Sequence, residues 1–343
     1  MIKSMLIPSL LVVLLFSDCS KSSKTSGDDK PVTPPKETPN TPFKTLNYLY
    51  SISGEKTLSG IHNREPNATP ARWTDEIYNT TGKYPALWSG DFLFQAENIN
   101  NRQIMVNEAV TQWKKGAVIN IMWHACNPAL SQPCGWDDGK GVLSSLTDQQ
   151  FTELTTDGTA INAKWKGMMD EVCLYLQQLK DKGVEVLWRP MHEMNQGKFW
   201  WAGRPGASGT VKLWKLTHDY MVKTKGLTNL IWVWDVQDFS TLSNDVKSYY
   251  PGDDYYDVAA LDVYDGSGFT QAKYMAMVNI AGKKPIAIGE CDKLPTEEEL
   301  TYQPKWTFFM SWSELVFEKN TKEQLIKLYG SPKVQSLDKM PGW

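Results

Sequence analysis

The chain has 343 residues, and its 36 lysines and arginines against 39 aspartates and glutamates leave a formal charge of −3. That near balance supplies no basic field for nucleic acid or for an anionic membrane surface, so a neutral partner is expected. The length suits one α/β barrel plus a leader, since such barrels fold as single units of roughly 250 residues or more. Fifteen tryptophans and fourteen tyrosines suit the apolar faces of sugar rings, but they serve equally well as core filler.

The chain opens with Lys3, an apolar run from Leu6 to Phe16, and Ser17-Asp18-Cys19. A run this short cannot span a bilayer permanently, so residues 1–19 read as a bacterial export signal. The segment resembles a lipoprotein signal with Cys19 as the acylated residue, although Phe16 and Asp18 depart from the usual Leu and small residue. The resemblance implies an outer-membrane anchor; plain secretion with cleavage nearby is the alternative. Residues 20–42 are rich in Ser, Lys, Asp and Pro and hold too little apolar surface to offset the entropy of ordering. They read as a tether that holds a catalytic domain, residues 43–343, away from a membrane.

From Thr57 onward, short apolar and β-branched runs alternate with helical stretches, the pattern of a parallel sheet. Eight runs are read as strands: Thr57–Ile61, Pro85–Ser89, Ala117–Trp123, Val184–Arg189, Leu230–Trp234, Val258–Val263, Pro285–Gly289 and Phe308–Trp312. Helices are expected at Arg72–Thr80, Arg102–Lys115, Ala160–Lys182, Thr210–Lys225, Asp245–Tyr249, Gln271–Ala281 and Glu297–Gln303. Gly116 and Gly183 follow helical stretches where a left-handed residue would end them. Eight alternations fit a closed (β/α)8 TIM barrel better than an open nucleotide-binding sheet, and no Gly-x-Gly-x-x-Gly opens the first unit.

Loops after barrel strands build the active face, so the long insertion Ala125–Thr159 is expected to wall the cleft. Within it, Cys126 and Cys134 lie close enough in a Pro- and Gly-rich stretch for a local disulfide in an oxidising compartment. Cys173 and Cys291 read as buried small hydrophobes.

Polar residues gather at the C-terminal ends of the strands: His62, Asp91, His124, His192 with Glu193, Asp262 with Tyr264, and Glu290. Any one could merely satisfy a loop. The pair Glu193 and Glu290 carries more weight, because glycoside hydrolysis needs one protonated carboxyl for the leaving oxygen and one ionised carboxyl to attack or to activate water. Ends of the fourth and seventh strands face one another across a barrel mouth. A zinc reading of His192-Glu193 fails on spacing, since Gln196 stands where a second His is required and Arg189-Pro190 argues against a helix. No Gly-x-Ser-x-Gly elbow offers an esterase nucleophile. No metal or cofactor is expected.

The segment Trp188 to Gly203, Trp-Arg-Pro-Met-His-Glu-Met-Asn-Gln-Gly-Lys-Phe-Trp-Trp-Ala-Gly, resembles the hallmark of glycoside hydrolase family 26, best known for β-mannanases. Leu58–His62, Gly82–Ala86 with Gly90-Asp91, Trp123-His124, Asp257–Tyr264 and Lys284–Glu290 agree in order. The resemblance spans Phe43 to about Tyr329. It implies a retaining barrel enzyme on β-mannan with Glu193 as acid/base and Glu290 as nucleophile; separately, a monomer is expected. It also implies that His192 and Tyr264 orient the glutamates and that His124 and Asp262 shape or contact the sugar at the cleaved bond. From their places along the chain, His62, Asp91 and Lys198 are further substrate-binding candidates, Trp312 at the end of the last strand is a stacking floor or core packing, and Phe199, Trp200 or Trp201 offers a ring near the acid/base. One departure stands out: family members commonly carry Trp where this chain has Lys198, and lysine cannot stack on a sugar in that way. The same pair would serve a β-1,3-xylanase or a mixed-linkage β-glucanase. A glycan-binding lipoprotein without activity is the reading from another class.

Overall fold

The computed structural model describes residues 39–343. The export signal with Cys19, and residues 20–38 of the tether, lie outside the described residues.

Nine strands form one all-parallel sheet: β1 (Thr57–His62), β2 (Leu87–Asp91), β3 (Val118–Trp123), β4 (Val186–Pro190), β5 (Leu230–Gln237), β6 (Val258–Val263), β7 (Ile286–Cys291), β8 (Trp306–Trp312) and β9 (Val334–Gln335). Neighbours follow chain order from β1 to β8, and β1 pairs with both β2 and β8, which closes the expected eight-stranded barrel. The unforeseen β9 pairs with the first two residues of β1. Helices at Arg72–Thr81, Arg102–Lys114, Ala160–Asp181, Thr210–Asp219 and Gln271–Ala281 lie where their periodicity predicts. The expected helix to Lys225 instead finishes in a π turn over Tyr220–Thr224.

Alternation along each strand divides the core in two. Leu58, Leu87, Val118, Leu187, Ile231, Val258, Ala287 and Phe308 share a cluster inside the barrel, while Ile61, Trp88, Ile119, Trp188, Trp232 and Ile288 pack outward against the helices. Nine tryptophans, including Trp88, Trp123, Trp165, Trp188 and Trp306, are wholly buried. Most of this residue's abundance is therefore packing between strands and helices, as with the stacked pair Trp123 and Trp165, whose centroids are 5.0 Å apart.

The interior cluster is sealed at the strands' N-terminal ends by the helix Lys44–Ile52, through Leu46, Leu49 and Ile52. This helix has no side-chain cap of its own. Its first free amides, those of Lys44 and Thr45, donate to the two carboxylate oxygens of Glu185 at 2.8 and 2.7 Å. The cap comes from a residue 140 positions away, which is why the local sequence carries no start signal.

The insertion after β3 is bridged by a Cys126–Cys134 disulfide, with Cα atoms 5.9 Å apart. Cys134 donates its amide to the Phe94 carbonyl at 3.1 Å. The bridge thereby holds Trp136 against Phe94 and His124, with centroids at 5.9 and 5.5 Å. Cys173 and Cys291 are free and buried, and burial pushes the Cys173 thiol up to about 12.

Candidate active site

The top layer of the barrel interior is polar. Continuing the inward rows, Leu187 leads to Arg189, Val233 to Asp235, and Ala260 to Asp262. Arg189 is the hub. Its Nε donates to Asp235 Oδ2 at 3.1 Å and its Nη1 to Glu290 Oε1 at 2.7 Å, while its Nη2 pairs with Asp262. Burial opposes the guanidinium's charge, but Asp235, Asp262 and Glu290 outweigh it and hold the group well above its ordinary value. One planar fork bridging three carboxylates is geometry that lysine could not reproduce.

Space for this cluster comes from Gly289. A methyl there would lie 2.5 Å from Asp235 Oδ2 and 2.6 Å from Asp262 Oδ1, both held by Arg189. Strict alternation would then turn Glu290 outward with Ile288. Register shifts in the β6–β7 and β7–β8 pairings break the alternation there, and the irregularity turns Glu290 back to the axis. Tyr264, just past β6, donates its hydroxyl to Glu290 Oε2 at 2.9 Å.

Glu193 lies beyond β4 with φ of +50°, as does Met191 with φ of +49°. Such left-handed backbone at a non-glycine residue is costly and persists only where surroundings impose it. Here Asp235 Oδ1 takes the Glu193 amide at 2.8 Å, and Gln196 donates to the Glu193 carboxylate while holding Gln237 Oε1 at 3.0 Å. Both glutamates are buried. One oxygen from each of Glu193, Asp262 and Glu290 falls within 4.8 Å of the others. Three carboxylates so close could hold a cation, and Arg189 already supplies that charge to two of them.

Burial, then the charges of Glu290 and Asp235, push Glu193 well above the ordinary carboxylate range. Burial raises Glu290 too, but Arg189's charge and hydrogen bond, and the Tyr264 hydroxyl, act the other way. Of the two, Glu193 is the carboxyl whose surroundings favour the proton, and Glu290 the one whose partners favour the charge. An inverting pair needs carboxyls about 6.5–9.5 Å apart to admit a water, whereas a retaining pair stands near 5–5.5 Å. With one oxygen of each glutamate within 4.8 Å of the other, the pair stands on the close side of that division and suits direct attack on an acetal carbon.

At the C-terminal ends of β1, β2, β3 and β8 lies a cavity of about 360 Å³, lined among others by His62, Arg64, Gln95, His124, Trp136 and Trp312. Trp312 stacks on His62, with centroids 4.4 Å apart. Asp91 at the end of β2 pairs with His124 Nδ1 and accepts its amide at 3.1 Å. Burial alone would raise Asp91, but the charge and hydrogen bond of His124, with help from His62, bring it down to about 2. Burial lowers His62 to about 3, so its ring is neutral at ordinary pH.

Three of the expected site residues are placed deeper than the cleft surface. Asp262 is wholly buried and pairs with Arg189 through Oδ2, which makes it part of the hub, while its Oδ1 has no hydrogen-bond partner. Trp201 is also wholly buried, stacked at 4.4 Å behind Phe199 with its indole N–H on the His192 carbonyl. It supports the loop from behind Phe199. His192 hydrogen-bonds neither glutamate: its Nδ1 is buried without a partner, and its ring packs edge-on against His124 at 4.5 Å. Lys198 is exposed on the loop beyond Glu193.

Asp235, Gln196 and the hub role of Arg189 went unread in the sequence. Asp235 directly follows the run read as the fifth strand, so the strand-end criterion that selected the other residues would have found it. Arg189 likewise ends the run read as the fourth strand, whereas Gln196 carries no such signal.

The sequence profile described as Glycosyl hydrolase family 26 matches residues 34–337. Among curated relatives, a mannan endo-1,4-beta-mannosidase of Thermothelomyces thermophilus is 32% identical, over 86% of this chain and 60% of that protein. One of Bacillus subtilis is 27% identical, over 92% of this chain and 90% of that protein. The chain spans 60% of the Thermothelomyces relative's length and 48% of that of a Caldalkalibacillus mannanilyticus mannosidase. Among solved structures, GH26A of a Muricauda species superposes with a TM-score of 0.81 at 35% identity, over 86% of this chain and 95% of that one. A β-mannanase from a symbiotic protist of the termite Reticulitermes speratus, complexed with gluco-manno-oligosaccharide, does so with 0.76 at 29% identity, over 88% and 94%. With two opposed glutamates on a closed barrel and a profile match over nearly the whole described chain, the protein belongs to glycosyl hydrolase family 26.

Proposed function

We propose that the chain is an exported, retaining mannan endo-1,4-β-mannosidase that works without metal or cofactor. The observation that carries the reading is the buried Glu193–Glu290 pair with oxygens within 4.8 Å, one carboxyl disposed to hold a proton and the other held ionised. Glu290 attacks the anomeric carbon while Glu193 protonates the departing oxygen; water then enters, Glu193 takes its proton, and the glycosyl–Glu290 ester is hydrolysed. The mannanase names of the relatives above support β-1,4-mannan as the polymer. Export and anchoring through acylated Cys19 at the outer membrane, with residues 20–42 as tether, rest on the leader's composition.

The test is the full chain in detergent against linear mannan, galactomannan, β-1,3-xylan and mixed-linkage β-glucan. Release of manno-oligosaccharides is expected. Turnover confined to xylan or glucan would move the assignment to the sister specificity, and binding without turnover on all four would remove the hydrolase reading. For the anchor, Cys19→Ser is expected to leave the membrane fraction and lose palmitate labelling; unchanged partition would rule acylation out.

A further inference from the structure

Among the described residues Tyr264 is the one hydroxyl on Glu290, and it stands at the start of the loop after β6, where nothing in β-sheet pairing fixes it. Its anchorage comes from below. Asp238, directly after β5, accepts the backbone amides of Tyr264 and Asp265 on Oδ1 at 3.1 and 3.2 Å, and its own amide donates to the Asp262 carbonyl at 3.0 Å. Asp238 is buried. Against it, from the helix Gln271–Ala281, comes Lys273, also buried, whose Nζ reaches Asp238 Oδ2 at 2.6 Å, Asp265 Oδ1 at 2.7 Å and the Gly268 carbonyl at 2.9 Å. Three acceptors meet the three protons of an ammonium. Asp265 in turn accepts the Ser267 amide at 2.8 Å and its hydroxyl at 2.7 Å.

We propose that Asp238 and Lys273 form a buried clamp whose task is to set the Tyr264 hydroxyl on Glu290, which makes both of them positioning residues for the hydrolysis assigned above. A buried lysine and aspartate are costly to desolvate and are not needed to hold a loop, which apolar packing does as well. Here they grip the backbone of the residue that touches the nucleophile. Without the ammonium, Asp238 and Asp265 face each other as uncompensated like charges, and the segment carrying Tyr264 must shift to separate them. A displacement of about 1 Å at such a contact costs on the order of a hundredfold in rate. The inference rests on the proposed hydrolase reading.

The test is a double-mutant cycle on the full chain, using whichever of the four polymers the wild type cleaves, so that failure on mannan overturns the specificity alone and turnover of none overturns both readings. Lys273→Met is expected to lower kcat about 10- to 100-fold with KM changed less than about twofold. In a Tyr264→Phe background the same substitution is expected to cost less than about twofold, because the contact it serves is already gone. Lys273→Arg, which keeps the charge and can span both carboxylates, is expected to recover most of the loss. Equal losses in the two backgrounds, or an unchanged kcat per folded molecule in Lys273→Met, would overturn the proposal. If Lys273→Met does not fold, Asp238→Asn carries the same comparison, since it removes the charge and keeps one side-chain acceptor.

Discussion

Glu290→Ala is expected to lose at least about a thousandfold in kcat on every substrate the wild type cleaves, because no group remains to form the glycosyl ester. Glu193→Ala is expected to behave differently, and the difference identifies the roles. On polymer, where the departing sugar hydroxyl needs a proton, the loss should be about 10²- to 10⁴-fold. On an aryl β-mannoside whose phenolate leaves unaided, the first step should survive and glycosyl enzyme should accumulate. Azide, needing no base, should then attack it and release a mannosyl azide of retained β configuration. A wild-type rate that falls at high pH as Glu193 deprotonates should become flat there in the variant on the aryl substrate, since burial and the neighbouring carboxylates put that proton on Glu193. An α azide from Glu193→Ala, or full activity in Glu290→Ala, would invalidate the double-displacement assignment.

Arg189→Met should damage both stability and chemistry. The guanidinium is the cation that Asp235, Asp262 and Glu290 share within the barrel, and removing one partner of a buried ionic cluster costs about 3–5 kcal/mol. For a barrel of this size that is a fall in Tm of about 10 °C, readable by calorimetry. The catalytic effect has a definite sign. Arg189 favours the ionised form of Glu290, so its loss raises that carboxyl and moves the acid limb of kcat/KM to higher pH. Arg189→Lys should recover part of the stability and little of the rate, because a single ammonium cannot bridge three carboxylates in one plane. An unmoved Tm together with an unmoved acid limb would remove Arg189 from the hub.

Several features of this protein are written in order along the chain. Alternation of short apolar runs with amphipathic helices dictates a parallel barrel, because period-2 and period-3.6 patterns each bury one way. The rule that loops after strands share one face brings His62, Asp91, His124, Glu193 and Glu290 together without knowledge of coordinates. Cys126 and Cys134 lie near enough in sequence for their bridge to be read locally.

Other features arise from contacts between distant residues. The helix Lys44–Ile52 has its amides satisfied by Glu185, so its start is invisible to any local window. Asp262 stands one residue before the end of β6, and only the inward row it shares with Ala260 and the fork of Arg189 make it a buried partner of the hub. Trp201 and Phe199 are both aromatic in sequence; which one hides the other is a matter of loop packing.

What the chain's order of residues determined by itself is the barrel, the face that does chemistry and the two glutamates on it, since these follow from periodicity and strand count. What tertiary structure alone decided is the physical cause that favours the proton on Glu193 over Glu290. That depends on burial, on the single guanidinium shared by Asp235, Asp262 and Glu290, and on the sheet irregularity that turns Glu290 inward. Electrostatic interaction falls with distance in space, and distance in space between residues 101 positions apart is set by folding and not by sequence separation.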